Sequence, residues 1–442
     1  MNWTIHAKPA SALLCRLWEN ANQIYIRVAF YILIFNHLRA MPKFTPLSFH
    51  NYNWKSDSIV PEDVLAPPYD VLSTADRKKL AGKNPFNAVN IDLPDTYKHA
   101  AELIKNWKNK NILIRHDTPV FLIQSTEYEI DGRQLTRWGI LGGMEISPYG
   151  TGNIFPHEQT YPKAKKDRLA LTRSVQGQLS PIFGVFDDPD LTLTQIGEKV
   201  SGMEPEMSAR IGECRHALWI VPREFNARIS RMLSGQNVFI ADGHHRYETA
   251  LDFKKEQSQT VSDAPWNYVF TYLSNISSPG LEIFPYHRVL SFHKKFALRD
   301  ALANAREYLT ITELEGPVSF PENAPANSFI LFLDDGAYHL SPKLKQSDIF
   351  DEIGSHILNH YFLEKILGLT DSDLSSGEFL AYTHSKSQAM EKVKNGSSQA
   401  AFLLNPVPMQ TMRKVCCSGR VMPRKSTFFY PKLPTGLAFY LF

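Results

Sequence analysis

The sequence predicts a mixed α/β protein of the α+β type, and two observations lead to that fold class. Short β-type runs alternate with stretches of helical periodicity along the 442 residues, and the chain has no internal repeat. Two pairs of apolar runs are joined by Asp-Gly turns, at Asp131-Gly132 and Asp335-Gly336, which is the turn chemistry of antiparallel hairpins. The length allows two or three domains and a sizeable core.

The composition and net charge of the chain limit the classes of binding partner that we expect. It is 43% hydrophobic and 21% charged, as in ordinary soluble globular proteins, and the net charge is only +3, with no basic arm. We therefore expect no nucleic-acid partner, whereas a phosphorylated small molecule needs only a local basic pocket. The four cysteines lack CxxC spacing, so no structural metal is expected and the protein is predicted to be cytoplasmic. The sequence predicts no oligomeric state.

The elements divide the chain into three parts. Residues 1–40 contain an apolar run that is too short to span a bilayer, so no membrane partner is expected, and we interpret this part as a dispensable extension before a natural start at Met41. Residues 41–315 form the predicted main domain, with helices near 76–85 and 99–112, a hairpin over 118–146, and buried strands at 216–222 and 237–241. The Pro-rich segment 315–328 is the predicted linker. A smaller α+β portion follows over 328–442, with a hairpin near its start, and ends in the KSTFFYPK motif.

The stretch ADGHHRYETAL is the first candidate site, because a buried strand ends there and a helix begins. Asp242 and Gly243 are the predicted turn, and a helix that starts near His245 would direct unpaired N–H groups and its positive dipole end at one spot. Such an end binds anions, and Arg246 adds a planar fork for phosphate oxygens, to which His244 and His245 can add donors. Two other readings stay open: a metal site, disfavoured because adjacent histidines diverge, and a structural strand-to-helix cap.

Two further clusters carry candidate residues. In GNIFPHEQTYPKAKKDRLALTRS (152–174), His157 and Glu158 are suited to acid–base work and Arg168 belongs to a basic stretch; the alternative is a solvated surface loop. In MPRKSTFFYPKLPTG (422–436), Lys425, Ser426 and Thr427 are candidate phosphate-binding residues. Because the glycines of a phosphate-binding loop are missing, a basic strand start is the alternative there.

Taken together, these motifs resemble a known family. APPYDV, NPFNAV, FPHEQT, KKDRLALTR, SPIFGVFDD, ADGHHRYETAL, YHRV and MPRKSTFFYPKLPTGL occur in the order and spacing of the bacterial and archaeal family called domain of unknown function 1015. The resemblance runs from about Met41 to the C-terminus. The family name implies no activity.

The Asp-Gly-His-His-Arg turn also resembles the phosphate-binding signature of the ParB/sulfiredoxin-like fold. That fold includes sulfiredoxin, a CTP-binding partition protein and a free-serine kinase, and the resemblance implies a nucleotide-binding element of this type within the main domain. Only Gly243, His245 and Arg246 match by position. His244 stands where sulfiredoxin has its catalytic cysteine, which excludes sulfinic acid reduction at this site.

The resulting hypothesis is a nucleotide- or phosphometabolite-binding enzyme that moves a phosphoryl group onto a small polar metabolite, with serine or phosphoserine as the leading guess. ATP or ADP with Mg²⁺ is the expected cofactor. Glu158, His157 and Asp242 are the candidate catalytic residues, because phosphoryl transfer depends on positioning and charge neutralisation. The alternatives are a phosphatase or other hydrolase with the same anion pocket, and a nucleotide-dependent switch without turnover. DNA binding ranks last.

Overall fold

In the part of the chain that the structure describes, twenty-one strands and a set of mostly short helices build the fold. The computed structural model describes residues 43–442 except residue 161, the segments 258–260, 292–295 and 344–346, and the side chains of Pro162, Lys163 and Ser375. The predicted extension 1–40 and the predicted start at Met41 lie outside the described residues.

The strands follow one another in this order: β1 (Phe44–Thr45), β2 (His50–Tyr52), β3 (Leu113–Arg115), β4 (Leu122–Ile130), β5 (Arg133–Glu145), β6 (Ile154–Pro156), β7 (Gly177–Gln178), β8 (Ile182–Phe186), β9 (Met207–Ile211), β10 (Cys214–Ile220), β11 (Val238–Asp242), β12 (Tyr268–Asn275), β13 (Glu282–Phe284), β14 (His287–Leu290), β15 (Leu309–Glu313), β16 (Phe329–Leu333), β17 (Gly336–Pro342), β18 (Leu380–Thr383), β19 (Ala400–Leu404), β20 (Phe428–Tyr430) and β21 (Tyr440–Leu441).

The α-helices are α1 (Pro61–Val64), α2 (Thr74–Lys83), α3 (Val89–Asp92), α4 (Tyr97–Asn109), α5 (Pro162–Val175), α6 (Thr192–Val200), α7 (Asn226–Leu233), α8 (His244–Glu256), α9 (Leu298–Ala305), α10 (Gly354–Ile357), α11 (Asp371–Ser376), α12 (Lys386–Lys394) and α13 (Met409–Cys417). Short 3₁₀ turns cover Tyr69–Val71, Arg223–Phe225, Pro265–Asn267 and Ile349–Glu352, and a π-helical stretch covers Leu358–Glu364. The mixed α/β class is confirmed.

A nine-stranded sheet organises the first part of the chain. Its strand order is β6-β11-β8-β12-β5-β4-β10-β9, and β1 also pairs with β5. The predicted hairpin is confirmed as β4 and β5, which pair from Leu122↔Leu141 to Ile130↔Arg133 around Asp131-Gly132. Side chains alternate across the sheet, so Phe239 belongs to the core cluster on one face and Ile240 to the cluster on the other.

A second, antiparallel sheet has the strand order β15-β17-β16-β19-β14-β18. It already begins at β14, and the predicted linker 315–328 connects β15 with β16 within this one sheet. The predicted end of the main domain at residue 315 is therefore not a boundary between sheets. The Pro-rich composition there reflects a long irregular connection between two strands.

The last part of the chain leaves the second sheet and returns to the first. Met412, Val415 and Cys416 of α13 pack in the same core cluster as Phe239. Further on, β20 pairs with β13, and β21 pairs with β7. This return carries residues 425–432 to the end of β11, where α8 begins.

No helix in the described part of the chain is both long and apolar enough to cross a membrane.

Candidate functional site

A cleft of about 220 Å³, here called the central cleft, opens where β11 ends and α8 begins. Its walls come from widely separated parts of the chain, brought together by the returning C-terminal segment. The lining residues are Tyr69, Asp70, His157, Glu158, Gln159, Ala164, Ala241, Asp242, Gly243, His244, His245, Arg246, Tyr286, Lys425, Thr427 and Lys432.

The strand-to-helix turn forms one wall of the central cleft. Gly243 has a φ of +89°, which favours glycine, and α8 follows directly from His244. The Gly243 N–H donates to Asp242 Oδ1 at 2.8 Å. A Cβ on Gly243 would lie 3.1 Å from the Arg246 guanidinium, so the side chain of Arg246 folds back over the turn. The positive end of the α8 dipole therefore faces the cleft.

Asp242 is held by two cations. Lys432 Nζ donates to Asp242 Oδ2 at 3.0 Å, and a guanidinium nitrogen of Arg246 lies 3.7 Å from the same oxygen. Burial alone would raise the pKa of Asp242, but Lys432 and Arg246 outweigh it and hold that pKa below its usual range. Arg246 also donates to the backbone carbonyl of Pro181. Asp242 is therefore a stable anion that orders the two cations beside it.

His157 is buried, with both ring nitrogens in hydrogen bonds. Nδ1 lies 2.6 Å from the Ile240 carbonyl, which can only accept, so Nδ1 carries the proton. Nε2 then accepts from the Thr427 hydroxyl at 2.9 Å. Burial lowers the pKa of His157 to about 4. The backbone N–H of His157 donates to His244 Nε2 at 3.2 Å, which ties the His157 loop to the first turn of α8.

Glu158 lines the central cleft together with Lys425. Its side chain is 19% exposed, and Oε2 is 4.0 Å from His157 Nε2. Burial raises the pKa of Glu158, whereas the charge and the backbone N–H of Lys425 act to lower it. Lys425 has a φ of +56°, and its Nζ lies 4.9 Å from the centre of the Tyr286 ring. Within the described residues, Lys425 forms no ion pair at 4.0 Å or less.

The two α8 histidines are neutral groups of the cleft. Burial lowers the pKa of His244 well below its ordinary value, and the neighbouring His157 adds to this effect. The pKa of His245 is also lowered by burial, although Glu158 acts in the opposite direction. Both histidines can therefore serve as neutral hydrogen-bonding groups near pH 7.

Arg168, a predicted phosphate ligand, does not line the central cleft. It is buried, and its guanidinium donates to Asp92 Oδ1 at 3.2 Å and to Asp167 Oδ2 at 2.8 Å. The guanidinium also lies 4.5 Å from the centre of the Tyr69 ring. Together with Tyr69 and Arg246 it borders a separate cavity of about 40 Å³. The carboxylates of Asp92 and Asp167 already balance the charge of Arg168. The spacing of residues in the sequence could not predict this pairing.

Ser426 is the other predicted ligand that the structure keeps out of the cleft. Its buried hydroxyl lies 2.7 Å from the hydroxyl of Ser355. The neighbouring residues alternate, so Lys425 and Thr427 face the cleft while Ser426 packs behind it.

Five polar side chains of the cleft were missing from the predicted site: Tyr69, Asp70, Gln159, Tyr286 and Lys432. Lys432 closes the KSTFFYPK motif, and a search for a second cation within that motif would have found it. Tyr286 precedes the YHRV motif's histidine and arginine, and the sequence carries no signal that distinguishes it. The motif APPYDV contributes Tyr69 and Asp70 to the same cleft.

The carboxylates of the central cleft could hold a metal ion together with a phosphate ligand. Among the described residues, no group of three or more His, Cys, Asp or Glu side chains is arranged to hold a metal ion. Asp70, Glu158 and Asp242 nevertheless line the cleft. Mg²⁺ commonly takes one or two carboxylates together with phosphate oxygens, so the donors fit Mg²⁺ as part of a complex with a phosphate ligand.

Three solved structures show distant similarity to the chain. A conserved hypothetical protein from Pyrococcus furiosus is 13% identical, with 65% of this chain and 91% of that chain covered and a TM-score of 0.35. A free serine kinase variant in complex with ADP is 14% identical, with 64% and 89% covered and a TM-score of 0.36. SbnI with a C-terminal truncation from Staphylococcus aureus is 11% identical, with 68% and 87% covered and a TM-score of 0.34.

Among curated proteins, no sequence matches the chain. A family model does match, over residues 47–359, which takes in the His157 loop and the turn at Gly243 but ends before Lys425. The chain belongs to the family described as protein of unknown function (DUF1015).

Proposed function

We propose that the central cleft binds the phosphate groups of a nucleotide or phosphorylated metabolite and transfers a phosphoryl group to the hydroxyl of a small polar metabolite. The observation that carries this proposal is that Glu158, Lys425 and the first turn of α8 line the same cleft. The cleft thereby combines a helix N-terminus, a carboxylate and a lysine outside any close ion pair of the described residues.

The charges of the cleft support phosphate as the ligand. Lys432 and Arg246 both form ion pairs with Asp242, so these two cations are already held in place before a ligand binds. Lys425 adds a positive charge to the cleft that the first turn of α8 also lines. Groups that are fixed in advance stabilise a transferring phosphoryl group without having to reorganise.

Glu158 supplies the acid–base chemistry. In the proposed step the acceptor oxygen forms a bond to phosphorus, the bond between phosphorus and the leaving phosphate oxygen breaks, and the acceptor proton passes to the Glu158 carboxylate. Mg²⁺ would be held by carboxylates of the cleft, among them Asp70, and would neutralise negative charge on the phosphate. Because the turn resembles a phosphate-binding signature that a free-serine kinase also carries, serine is the first acceptor to test.

Product analysis tests the reaction. The full chain is incubated with ATP, Mg²⁺ and serine, and phosphorus NMR follows the products. Formation of ADP and phosphoserine supports phosphoryl transfer. Release of phosphate from phosphoserine without any nucleotide indicates a hydrolase, and nucleotide binding without any product over a panel of hydroxyl metabolites indicates a switch; either result overturns the proposed transfer.

The phosphate site has a separate test by calorimetry with inorganic pyrophosphate. Lys425→Ala removes a charge worth roughly 1.5 kcal/mol or more in charge-assisted contacts, so affinity should fall at least about tenfold. Lys199→Ala, at an exposed position on α6, is the matched control and should leave affinity unchanged. Equal affinity in both variants would remove Lys425 from the site.

A further inference from the structure

A second cavity of about 410 Å³ adjoins the central cleft. Gln159 lines both cavities, and the successive residues Arg424 and Lys425 line the second cavity and the central cleft, respectively. The volume lies within the range of small-molecule sites, roughly 300–1,000 Å³. A ligand with a phosphate end in the central cleft can therefore extend past Gln159 into the second cavity.

The walls of the second cavity offer flat aromatic surfaces. His360 is stacked on His356, with ring centres 5.6 Å apart and planes 5° from parallel. The side chain of His360 is 40% exposed, although the Tyr361 ring lies edge-on to it at 4.8 Å. Tyr382, from the second sheet, lines the same space. Nucleobases bind proteins largely by stacking on such rings.

Two carboxylates supply the cavity with hydrogen-bond acceptors, beside the donor Arg424. The carboxylates of Glu364 and Asp371 line it, as does the amide of Asn359. Asn359 Oδ1 is buried and has no hydrogen-bond partner among the described residues. Asn359, His360 and Glu364 lie on the π-helical stretch Leu358–Glu364, and π-helical turns occur frequently at functional sites. These acceptors match a base that carries an exocyclic amine.

We propose that the second cavity holds the adenine base of a nucleotide whose phosphates occupy the central cleft. This inference rests on the proposed phosphate site and adds the identity and place of the base. The base stacks on His360, and its exocyclic amine donates to an acceptor of the Asn359, Glu364 and Asp371 group. The nucleotide thereby contacts both sheets of the protein.

Calorimetry on the full chain tests the base site with ADP, UDP and inorganic pyrophosphate. ADP should bind at least about tenfold more tightly than pyrophosphate, because stacking of one base contributes this much or more. UDP, whose base lacks the amine, should bind more weakly than ADP. His360→Ala should reduce ADP affinity about tenfold and leave pyrophosphate affinity unchanged. His99→Ala, at an exposed histidine of α4, is the control and should change neither.

Each outcome decides between the two proposals. If pyrophosphate binds as tightly as ADP, the base site is wrong and the phosphate site stands. If ADP is preferred but both His360→Ala and Asp371→Asn keep that preference, the base lies elsewhere and the inference is overturned. Equal affinity for ADP and UDP excludes an amine-bearing base. If none of the three ligands binds, the phosphate site itself fails, and the base site fails with it.

Discussion

Glu158 and His157 are neighbours in the chain but have different environments. His157 is buried with both ring nitrogens engaged, and its tautomer is set by the Ile240 carbonyl. It positions Thr427 and the first turn of α8, whereas the exposed edge of the Glu158 carboxylate faces the cleft. The proposed catalytic role therefore belongs to Glu158, and that of His157 is positioning.

We predict that Glu158→Gln lowers turnover at least about tenfold while nucleotide affinity stays within twofold, since general-base contributions are typically about 10²- to 10⁴-fold. Because burial raises the pKa of Glu158, the rate should climb with pH as this group loses its proton. Steady-state kinetics across pH, with binding measured in parallel, check this. Full turnover in the variant, or an unchanged acidic limb in its pH profile, would remove Glu158 from the chemistry.

Arg246 contacts other groups of the protein as well as the proposed phosphate site, so its removal should lower both stability and phosphate affinity. It already contacts Asp242 and the Pro181 carbonyl, so Arg246→Ala leaves a buried carboxylate with one cation fewer. We predict a fall in phosphate affinity of about tenfold to a hundredfold, together with a lower thermal midpoint. Calorimetry and thermal unfolding measure the two effects. Unchanged phosphate affinity would show that Arg246 only orders Asp242.

At the scale of elements, the turn between β11 and α8 depends on one left-handed residue. Gly243 permits the φ of +89° that lets the helix start immediately after the strand. We predict that Gly243→Ala costs about 1–2 kcal/mol of stability, since a side chain is unfavourable in the left-handed region. Phosphate affinity should fall as well, because the added Cβ displaces Arg246.

Gly82→Ala is the matched control for this change. Gly82 lies within α2, and a Cβ there meets nothing within 4 Å. Since alanine is favoured over glycine inside helices, this control should gain up to about 1 kcal/mol. Urea unfolding of both variants gives the comparison. A stable Gly243→Ala protein with normal phosphate affinity would contradict the role of the turn.

Elements with strong local signals were predictable, and contacts between distant elements were not. The β4–β5 hairpin followed from the apolar runs around Asp131-Gly132, and α8 followed from the strand end and helix start expected at residues 242–245. A local pattern describes one element at a time. Such patterns could therefore locate the turn of the cleft, but not the distant segments that line the cleft together with it.

At the scale of the whole molecule, the missed features are long-range pairings. Lys432 meets Asp242 across 190 positions of sequence, and Arg168 meets Asp92 across 76. The periodicity of a sequence does not indicate which of several basic residues will lie beside a carboxylate in the folded protein. The same holds for β14, which enters the second sheet well before the Pro-rich segment that looked like a linker.

Several buried histidines make the stability of the molecule depend on pH. Burial lowers the pKa of His157 and of His287 to about 4, and that of His216 to about 3. In the unfolded chain these groups take up protons near pH 6.5. Their stabilising contribution is therefore complete above pH 6.5 and is lost as the pH falls from 6.5 toward 4.

We predict a steep loss of unfolding free energy between pH 7 and 5, with each such histidine contributing roughly 1.4 kcal/mol per pH unit below 6.5. Urea titrations at several pH values measure the slope. His216→Gln, which cannot take up a proton, should reduce the slope by about one proton's share. An unchanged slope in that variant would show that His216 is not among the groups responsible.

The return of the chain to the first sheet has a consequence for biosynthesis. The ribosome makes the His157 loop and the Gly243 turn long before Lys425 and Lys432, so a nascent chain can form much of the large sheet while the cleft still lacks one wall. Ligand binding should therefore be acquired late, once residues 425–432 have left the ribosome and packed beside the turn. Bound phosphate would mark molecules whose C-terminal segment has reached its place, and it would distinguish them from chains that are folded elsewhere.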